Sequence, residues 1–209
     1  MRRLSIIGAG GHAKVMVAMA VAAGIEHIEL YDDGAVTDVL GYLVQGGIAA
    51  LPDIPDTQAV IAIGGNAIRR RIAQQFAHVT WVSLVHPHSW IAPDVVLGAG
   101  SVVMAGSIIQ PGARLGQHVI VNTAASVDHD CRLADFVHVA PGTRLAGGVH
   151  LDEGVFTGAG SVHLPGSHTG AWSIVGAGGV VQGDLPANTT AVGVPARVIK
   201  ERSPGWHLS

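Results

Sequence analysis

Residues 126–131 read SVDHDC, a histidine between two aspartates in a stretch of small and apolar residues. A neutral imidazole can take a proton from an attacking amine or hydroxyl, and a carboxylate beside it fixes its tautomer and raises its basicity. His129 and Asp130 therefore have the chemistry of a general base with its partner, and Asp128 is a rival partner. His138, in FVHVA, is a second candidate for contact with the reacting groups. A solvated surface histidine is the ordinary alternative, because the chain contains 12 histidines.

A hexapeptide repeat surrounds these side chains. Starting at Ile91 and stepping by six to Val181, thirteen of the sixteen positions are Ile, Leu or Val. Fifteen of the sixteen positions four places further along are small or β-branched. This period fits neither an α-helix nor a flat strand, and it predicts short strands coiled into a prism with stacked apolar residues inside. With three hexapeptides per coil, we expect about five coils spaced by ~4.8 Å.

The register of the repeat predicts where the candidate residues point. Val127 and Cys131 occupy inward positions, so His129 lies at a corner and faces out of the prism. His138 occupies an outward position of the next hexapeptide, and we expect both histidines on the outer surface of about the same coil. The pattern is interrupted by polar residues at His163 and Thr169, which predicts a distorted lower coil.

The N-terminal part of the chain, up to position 85, follows an α/β pattern instead. The segments RLSIIGAGG, HAKVMVAMAVAAG, IELYDD and AVIAIGGNAIRRRIAQQF read as β-α-β and then β-α, the start of a parallel sheet. Gly8, Gly10 and Ala13 fit G-x-G-x-x-A, a phosphate-binding turn. A tight turn without a ligand is the alternative. Because the domain is too short for two mononucleotide halves, we expect a mononucleotide-bearing ligand bound by residues 1–85, followed by a second domain over residues 86–209.

The composition excludes several classes of protein. The net charge is −3 and Lys14 and Lys200 are the two lysines, so nucleic acid is not an expected partner. A single cysteine, Cys131, fits a reducing compartment. The N-terminus imitates a signal peptide, but His12 and Lys14 interrupt its apolar run, and no segment has the ~18 consecutive apolar residues of a membrane span. We therefore expect a cytoplasmic protein that does not bind membranes.

The two halves together resemble one family. GAGGHAKV, LYDD and AIGGNAIRRRI, followed by hexapeptides that contain DHDC and FVHVA, are similar to the hexapeptide-repeat sugar O-acyltransferases related to sialic acid O-acetyltransferases. Within that family, the match is best to enzymes that N-acetylate 4-amino sugars on nucleotide diphosphates, and it extends from Leu4 to about Lys200. The resemblance implies a small Rossmann-like βαβ domain, a left-handed parallel β-helix, and a homotrimer with acetyl-CoA between adjacent β-helices. It also implies a role in bacterial surface glycan synthesis and no metal ion.

The resemblance also implies roles for individual residues. His129 would be the general base, Asp130 its acidic partner, and His138 a contact to acetyl-CoA. Residues expected to bind coenzyme A through the coil backbone are Ala159, Gly176 and Ala177. Residues expected to line the nucleotide-sugar site are Gly10, Gly11, His12, Asp32, Asp33 and Gly64. The arginines 69–71 are interpreted as a solvated helix face rather than a phosphate clamp.

Three alternative functions stay open. O-acetylation of a sialic-acid-like sugar would use the same fold and the same base. A β-helix can also be a non-catalytic scaffold. A zinc enzyme like the γ-class carbonic anhydrases would use two histidines separated by five positions, as His163 and His168 are, but Val127 stands where the third ligand is required. The sequence leaves the nucleotide (UDP, GDP or dTDP) and the sugar open.

Overall fold

The N-terminal part of the structure is an α/β layer. The computed structural model describes residues 3–51, 57–77 and 79–208. The elements of this layer are β1 Arg3–Ile7, α1 Gly11–Ala22, β2 His27–Tyr31, β3 Asp38–Val39, β4 Tyr42–Gly46, a 3-10 turn Ile48–Ala50, β5 Gln58–Ile61, α2 Asn66–Gln75 and β6 Thr80–Trp81. The sheet order is β3-β4-β2-β1-β5-β6, and β1 is parallel to both β2 and β5. The crevice between the loops after β1 and β5 is therefore the topological switch point, where open α/β sheets bind ligands.

The buried side of helix α1 contacts both domains. Met16 and Met19 are buried in a core that also contains Leu84 and Ile120 of the second domain. Helix α2 packs on the other face of the sheet, where Ile72 belongs to a separate core. Within the described ranges, no helix is both long enough and apolar enough to cross a membrane.

The second domain is a parallel β-helix, as predicted. Its short strands are, in chain order, β7 Leu84–Val85, β8 Trp90–Ile91, β9 Val96–Leu97, β10 Val102–Val103, β11 Ile108–Ile109, β12 Arg114–Leu115, β13 Ile120–Val121, β14 Ser126–Val127, β15 Arg132–Leu133, β16 His138–Val139, β17 Arg144–Leu145, β18 His150–Leu151, β19 Phe156–Thr157, β20 Val162–His163, β21 His168–Thr169, β22 Ile174–Val175 and β23 Val180–Val181. The hairpin β24 Thr189–Val192 and β25 Arg197–Glu201 ends it. Because β7 already pairs with β10, the β-helix begins at Leu84, just before the predicted boundary.

The prism has three faces. The first face contains β7, β10, β13, β16, β19, β22 and β24, the second β8, β11, β14, β17, β20 and β23, and the third β9, β12, β15, β18 and β21. Val103 pairs with Val121 and Val121 with Val139, so each coil contains three hexapeptides. The inward positions from Val103 to Val181 are all buried. The first face packs against the N-terminal domain through the core that contains α1.

The predicted distortion of the lower coil is wrong. His163 pairs in register with Val181, Thr169 bridges to Leu185, and both His163 and Thr169 are completely buried. Burial lowers the pKa of His163 to about 4, so a neutral imidazole fills a place that Leu or Val fills in neighbouring coils.

The zinc alternative is also contradicted by the strand geometry. His163 points into the prism, whereas His168 lies on the outer surface, where its Nε2 is 3.0 Å from a carboxylate oxygen of Asp152. The two histidines therefore cannot bind one metal ion. Among the residues that the structure describes, no group of three or more His, Cys, Asp or Glu is arranged to hold a metal.

Arg69 of α2 joins the two domains, which corrects the prediction that it belongs to a solvated helix face. Its side chain is buried, with 1% of its surface exposed. The Nε donates to the carbonyl of His118 (2.9 Å) and Nη2 to the carbonyl of Phe136 (2.8 Å), both at corners of the β-helix. The remaining N–H groups donate to oxygens of the N-terminal domain, which belong to Ile63, Gly64 and Asn66. All five donors of the guanidinium are thus satisfied.

We expect Arg69→Met to destabilise the protein by about 3 kcal/mol or more, because it leaves the carbonyls of His118 and Phe136 without donors in a buried place. Arg71→Met, on the exposed side of the same helix, is the matched control and should change stability by less than about 0.5 kcal/mol. Urea denaturation measures both. Equal stability of the two variants would contradict the assigned role of the buried guanidinium.

Candidate active site

His129 and Asp130 form a hydrogen-bonded pair on the outer surface. The imidazole Nδ1 lies 2.9 Å from Oδ2 of Asp130 and donates to it, which leaves Nε2 as the ring nitrogen that can accept a proton. The hydrogen bond to Asp130, and then the charge of Asp128, raise the pKa of His129. The carboxylate of Asp128 instead accepts from the backbone N–H of His129 (2.8 Å). Asp130 is therefore the carboxylate that orients the imidazole.

Glycines in the neighbouring coils make room for this pair. A Cβ at Gly147, one coil after His129, would lie 2.5 Å from Cε1 and Nε2 of the imidazole. A Cβ at Gly112, one coil before Asp130, would lie 2.6 Å from the carboxylate. The corner itself is tight, because Asp130 has φ of 61°. The pair is thus set against backbone on both sides, a feature that can be found in the sequence by stepping three hexapeptides at a time.

His138 is on the outer side of its strand, as predicted, but the N-terminal domain covers it. Its Nδ1 donates to the carbonyl of Gly64 (3.1 Å), so its Nε2 accepts from the side-chain amide of Asn122 (3.0 Å). Burial is the main cause that lowers the pKa of His138 to about 3, and the ring is neutral. Only 6% of its surface is exposed. Both ring nitrogens are therefore engaged within the protein.

His129 and His138 belong to the same coil, as predicted, but the structure places them on different sides of the prism. His129 follows β14 and precedes β15, so it lies at the corner between the second and third faces. His138 lies in β16 of the first face, which is opposite that corner. The two side chains belong to the same coil but to opposite sides of the prism.

The structure brings together several residues predicted for the nucleotide-sugar site. Gly10 and Gly11 begin α1 at the switch point, are exposed, and have open space where a Cβ would point. The ring of His12 lies 6.3 Å from that of His138, and burial lowers the pKa of His12. Gly64 joins them through its hydrogen bond with His138. These residues form one group at the junction of the two domains.

Asp32 and Asp33 follow strand β2, and their carboxylates accept hydrogen bonds from backbone N–H groups. The two carboxylate oxygens of Asp32 accept from the N–H groups of Ala9 (2.8 Å) and Gly34 (2.7 Å). Asp33 accepts from Ile48 N–H (2.8 Å). Both aspartates border an open cavity of about 420 Å³. They therefore stabilise the loops after β1 and β2 and still face a space that can hold a ligand.

The residues predicted to bind coenzyme A lie at a third place. Ala159 and Ala177 are exposed, one coil apart, at the corner between the first and second faces. The carbonyl of Ala159 accepts from the N–H of Gly178 (2.9 Å), and Gly176 is partly exposed beside it. This corner is separated from His129 by the whole second face.

A cleft that the sequence does not predict lies between α2, the first face and the C-terminal tail. The cleft has a volume of about 600 Å³. Its main lining side chains are Asn66, Ile68, His138, Phe156, Trp172, Ile174, Trp206 and His207. Stepping one coil and then two coils from His138 finds Phe156 and Ile174 on the same face, but no pattern in the sequence predicts that the tail returns to this place.

Comparison with known proteins identifies relatives along the chain. Residues 3–76 match the family model described as the PglD N-terminal domain. The chain is 31% identical over 152 residues to the GDP-perosamine N-acetyltransferase of Escherichia coli O157:H7, a match that covers 69% of this chain and 68% of the relative.

Two solved structures are similar over nearly the whole chain. The acetyltransferase domain of PglB from Neisseria gonorrhoeae, in complex with acetyl coenzyme A, has 38% sequence identity and a TM-score of 0.91, over 95% of this chain and 99% of that chain. PerB from Caulobacter crescentus, in complex with CoA and GDP-perosamine, has 40% identity and a TM-score of 0.90, over 96% and 98%. The chain therefore belongs to the hexapeptide-repeat sugar acetyltransferases, acetyl-CoA-dependent enzymes, and lies close to the nucleotide-amino-sugar N-acetyltransferases among them.

Proposed function

We propose that the protein transfers the acetyl group of acetyl-CoA to the 4-amino group of a nucleotide-linked 4-amino-4,6-dideoxy sugar. The observation that carries this function is the His129–Asp130 pair, which presents a free Nε2 on the surface of an acetyltransferase fold. A structural neighbour with 40% identity holds CoA and GDP-perosamine, and this relative supports an amino sugar as the acceptor.

His129 acts as the general base. The sugar ammonium first loses one proton to solvent, and the neutral amine then attacks the thioester carbonyl carbon. Nε2 of His129 takes the second proton of the nitrogen as the tetrahedral intermediate forms. When the carbon–sulfur bond breaks, the imidazolium returns that proton to the leaving CoA thiolate. Asp130 stabilises the imidazolium through the hydrogen bond at Nδ1.

The nucleotide-linked sugar lies across the carboxyl ends of the strands of the N-terminal sheet, and its parts are arranged in the same order as these strands. The sheet order is β2-β1-β5, and adjacent strands lie ~4.8 Å apart. Asp32 and Asp33 follow β2 and face the nucleoside, and the backbone N–H groups of Gly10 and Gly11 follow β1 and face the diphosphate. The sugar then reaches Gly64 after β5 and enters the cleft beside His138. His138 contributes a wall of the cleft and holds the Gly64 loop in place.

A composite site in a homotrimer follows from the position of His129. The cleft lies on the first face, and His129 lies at the opposite corner of a prism whose faces are on the order of 15 Å wide. The base that acts on a sugar in this cleft therefore belongs to a neighbouring chain. Exposed apolar residues on the second face, Trp90 (49%) and Ile108 (41%), supply a surface for such a contact. The CoA backbone site at Ala159 and Ala177 borders this same face.

Substrate specificity tests the proposal. We expect at least one 4-amino-4,6-dideoxy sugar linked to UDP, GDP or dTDP to release free thiol from acetyl-CoA, because the amine is the stronger nucleophile and the sugar is attached to the nucleotide that the sheet binds. Free sialic acid should be a poor acceptor. Thiol release is measured with a chromogenic disulfide. The reverse ranking would show the O-acetyltransferase alternative, and no turnover with any acceptor would favour the non-catalytic scaffold.

Variants of the His129 corner test the base. His129→Ala should lower kcat by roughly 10²–10⁴, the range for loss of a general base, with little change in KM for acetyl-CoA. Asp130→Asn should lower kcat by a smaller factor, because the imidazole remains. Asp128→Asn is the matched control and should change kcat little, since Asp128 binds backbone. Near-normal kcat of His129→Ala at saturating substrates would remove His129 from the mechanism.

The pH dependence of Asp130→Asn gives an independent prediction. His129 is active as the neutral base, so the acidic limb of the rate profile follows its pKa. Asp130 raises this pKa, and its loss should lower the pKa, so the acidic limb of the variant should move to lower pH. A limb that stays in place or moves upward would contradict the assigned contact. Steady-state rates between about pH 5 and 8 cover the titration range of histidine.

A further inference from the structure

The C-terminal tail, residues 203–208, returns to the molecule instead of extending from β25. Trp206 and His207 lie in a short 3-10 turn. The ring of His207 stacks on that of Trp172 in the β-helix, with centroids 3.7 Å apart and planes inclined by 4°. Nη1 of Arg70 in α2 lies 3.4 Å from Nε2 of His207. The tail thus contacts both domains at the mouth of the cleft.

Two arginines contact aromatic rings at the mouth of the cleft, one ring in the β-helix and one in the tail. Arg70 is paired with Glu153 at 3.1 Å and lies 5.5 Å from the centre of the Trp172 ring. Arg202 lies 4.0 Å above the ring of Trp206. The cation–π contact of Arg202 orients Trp206 before any ligand binds.

The cleft has one polar end and apolar walls. At the polar end, His138 donates to the carbonyl of Gly64, and Asn66 follows shortly after Gly64 at the start of α2. The walls are aromatic and aliphatic, formed by Phe156, Trp172, Ile174, Trp206 and His207. Such a cleft suits a ring with one polar edge and one side made of C–H groups.

We propose that Trp206 is a specificity-determining residue for the acceptor sugar, which rests on the function proposed above. The sugar enters after the diphosphate, with its 4-amino edge toward the opening where a neighbouring His129 acts. Its deoxygenated side, C5 and the C6 methyl group, then packs against the indole of Trp206. A sugar with a 6-hydroxyl group would have to place that hydroxyl against an apolar wall, where it loses hydrogen bonds to water. The tail therefore selects 6-deoxy over 6-hydroxy amino sugars.

The test compares two acceptors that share one nucleotide, a 4-amino-4,6-dideoxy sugar and the corresponding 4-amino-4-deoxy sugar with a 6-hydroxyl group. In the wild-type protein, kcat/KM should favour the 6-deoxy acceptor by about tenfold or more. Trp206→Ala should raise KM for the 6-deoxy acceptor about tenfold and bring the ratio close to one, while KM for acetyl-CoA stays unchanged. Trp206→Phe should keep most of the preference, because it retains an aromatic wall.

Leu208→Ala is the matched control, because Leu208 belongs to the same turn, is 72% exposed and does not line the cleft. It should leave both KM values unchanged. Calorimetric binding of the free nucleoside diphosphate should be the same for Trp206→Ala and the wild type. If Trp206→Ala weakened binding of the free nucleoside diphosphate as much as binding of the whole substrate, the indole would contact the nucleobase instead of the sugar. This result would overturn the assignment.

Two further results would also overturn it. One is a Trp206→Ala or Trp206→Phe enzyme that binds substrate yet keeps the full wild-type ratio between the two acceptors. The other is a wild-type protein that acetylates both acceptors with equal kcat/KM. Absence of turnover with every amino-sugar nucleotide is a different result, because it contradicts the proposed function itself and is seen in the wild type before any tail variant is compared.

Discussion

The buried guanidinium of Arg69 is the interaction on which the arrangement of this molecule depends. Its five N–H groups all donate to neutral oxygens, two of them on corners of the β-helix and three on the N-terminal domain. Burial lowers the pKa of Arg69 to about 9, and the group stays charged at neutral pH. Because a buried charge without its hydrogen bonds is very costly, the two domains keep one relative position. The Gly64 loop, His138 and the cleft are all located by this contact.

The geometry of the β-helix explains why the candidate functional groups lie on different sides of one chain. A coil of three hexapeptides takes the chain through three faces, so side chains half a coil apart, such as those of His129 and His138, lie on opposite sides. One face packs against the N-terminal domain, and the corner opposite to it contains His129, the proposed base. When several chains associate, the corner of one prism that contains His129 can meet the cleft of a neighbouring prism. The fold thus links catalysis to assembly in the proposed mechanism.

The repeat made much of the fold predictable, because inward positions have a fixed spacing and a fixed chemistry. It correctly predicted a corner position for His129, and it predicted the outward direction of His138. What covers an outward side chain depends on packing between domains, which a local pattern does not contain. For this reason His138 and Arg69 were expected at the surface and are buried. His163 shows the opposite case, since a neutral imidazole fits an inward place that composition alone marks as a disruption. The return of Trp206 to the cleft depends on contacts with Arg70, Glu153 and Trp172, which no short segment reveals.

In the proposed mechanism, His129 of one chain acts on a substrate that another chain holds, and complementation between two inactive variants shows whether the site is composite. His129→Ala removes the base, and Gly11→Glu places a negative charge at the diphosphate site, where the backbone has open space for a side chain. In the proposed homotrimer, reassembly from equal amounts of both variants should recover about a quarter of wild-type activity, because one site in four combines an intact base with an intact acceptor loop. Mixed trimers no more active than either parent would contradict a composite site.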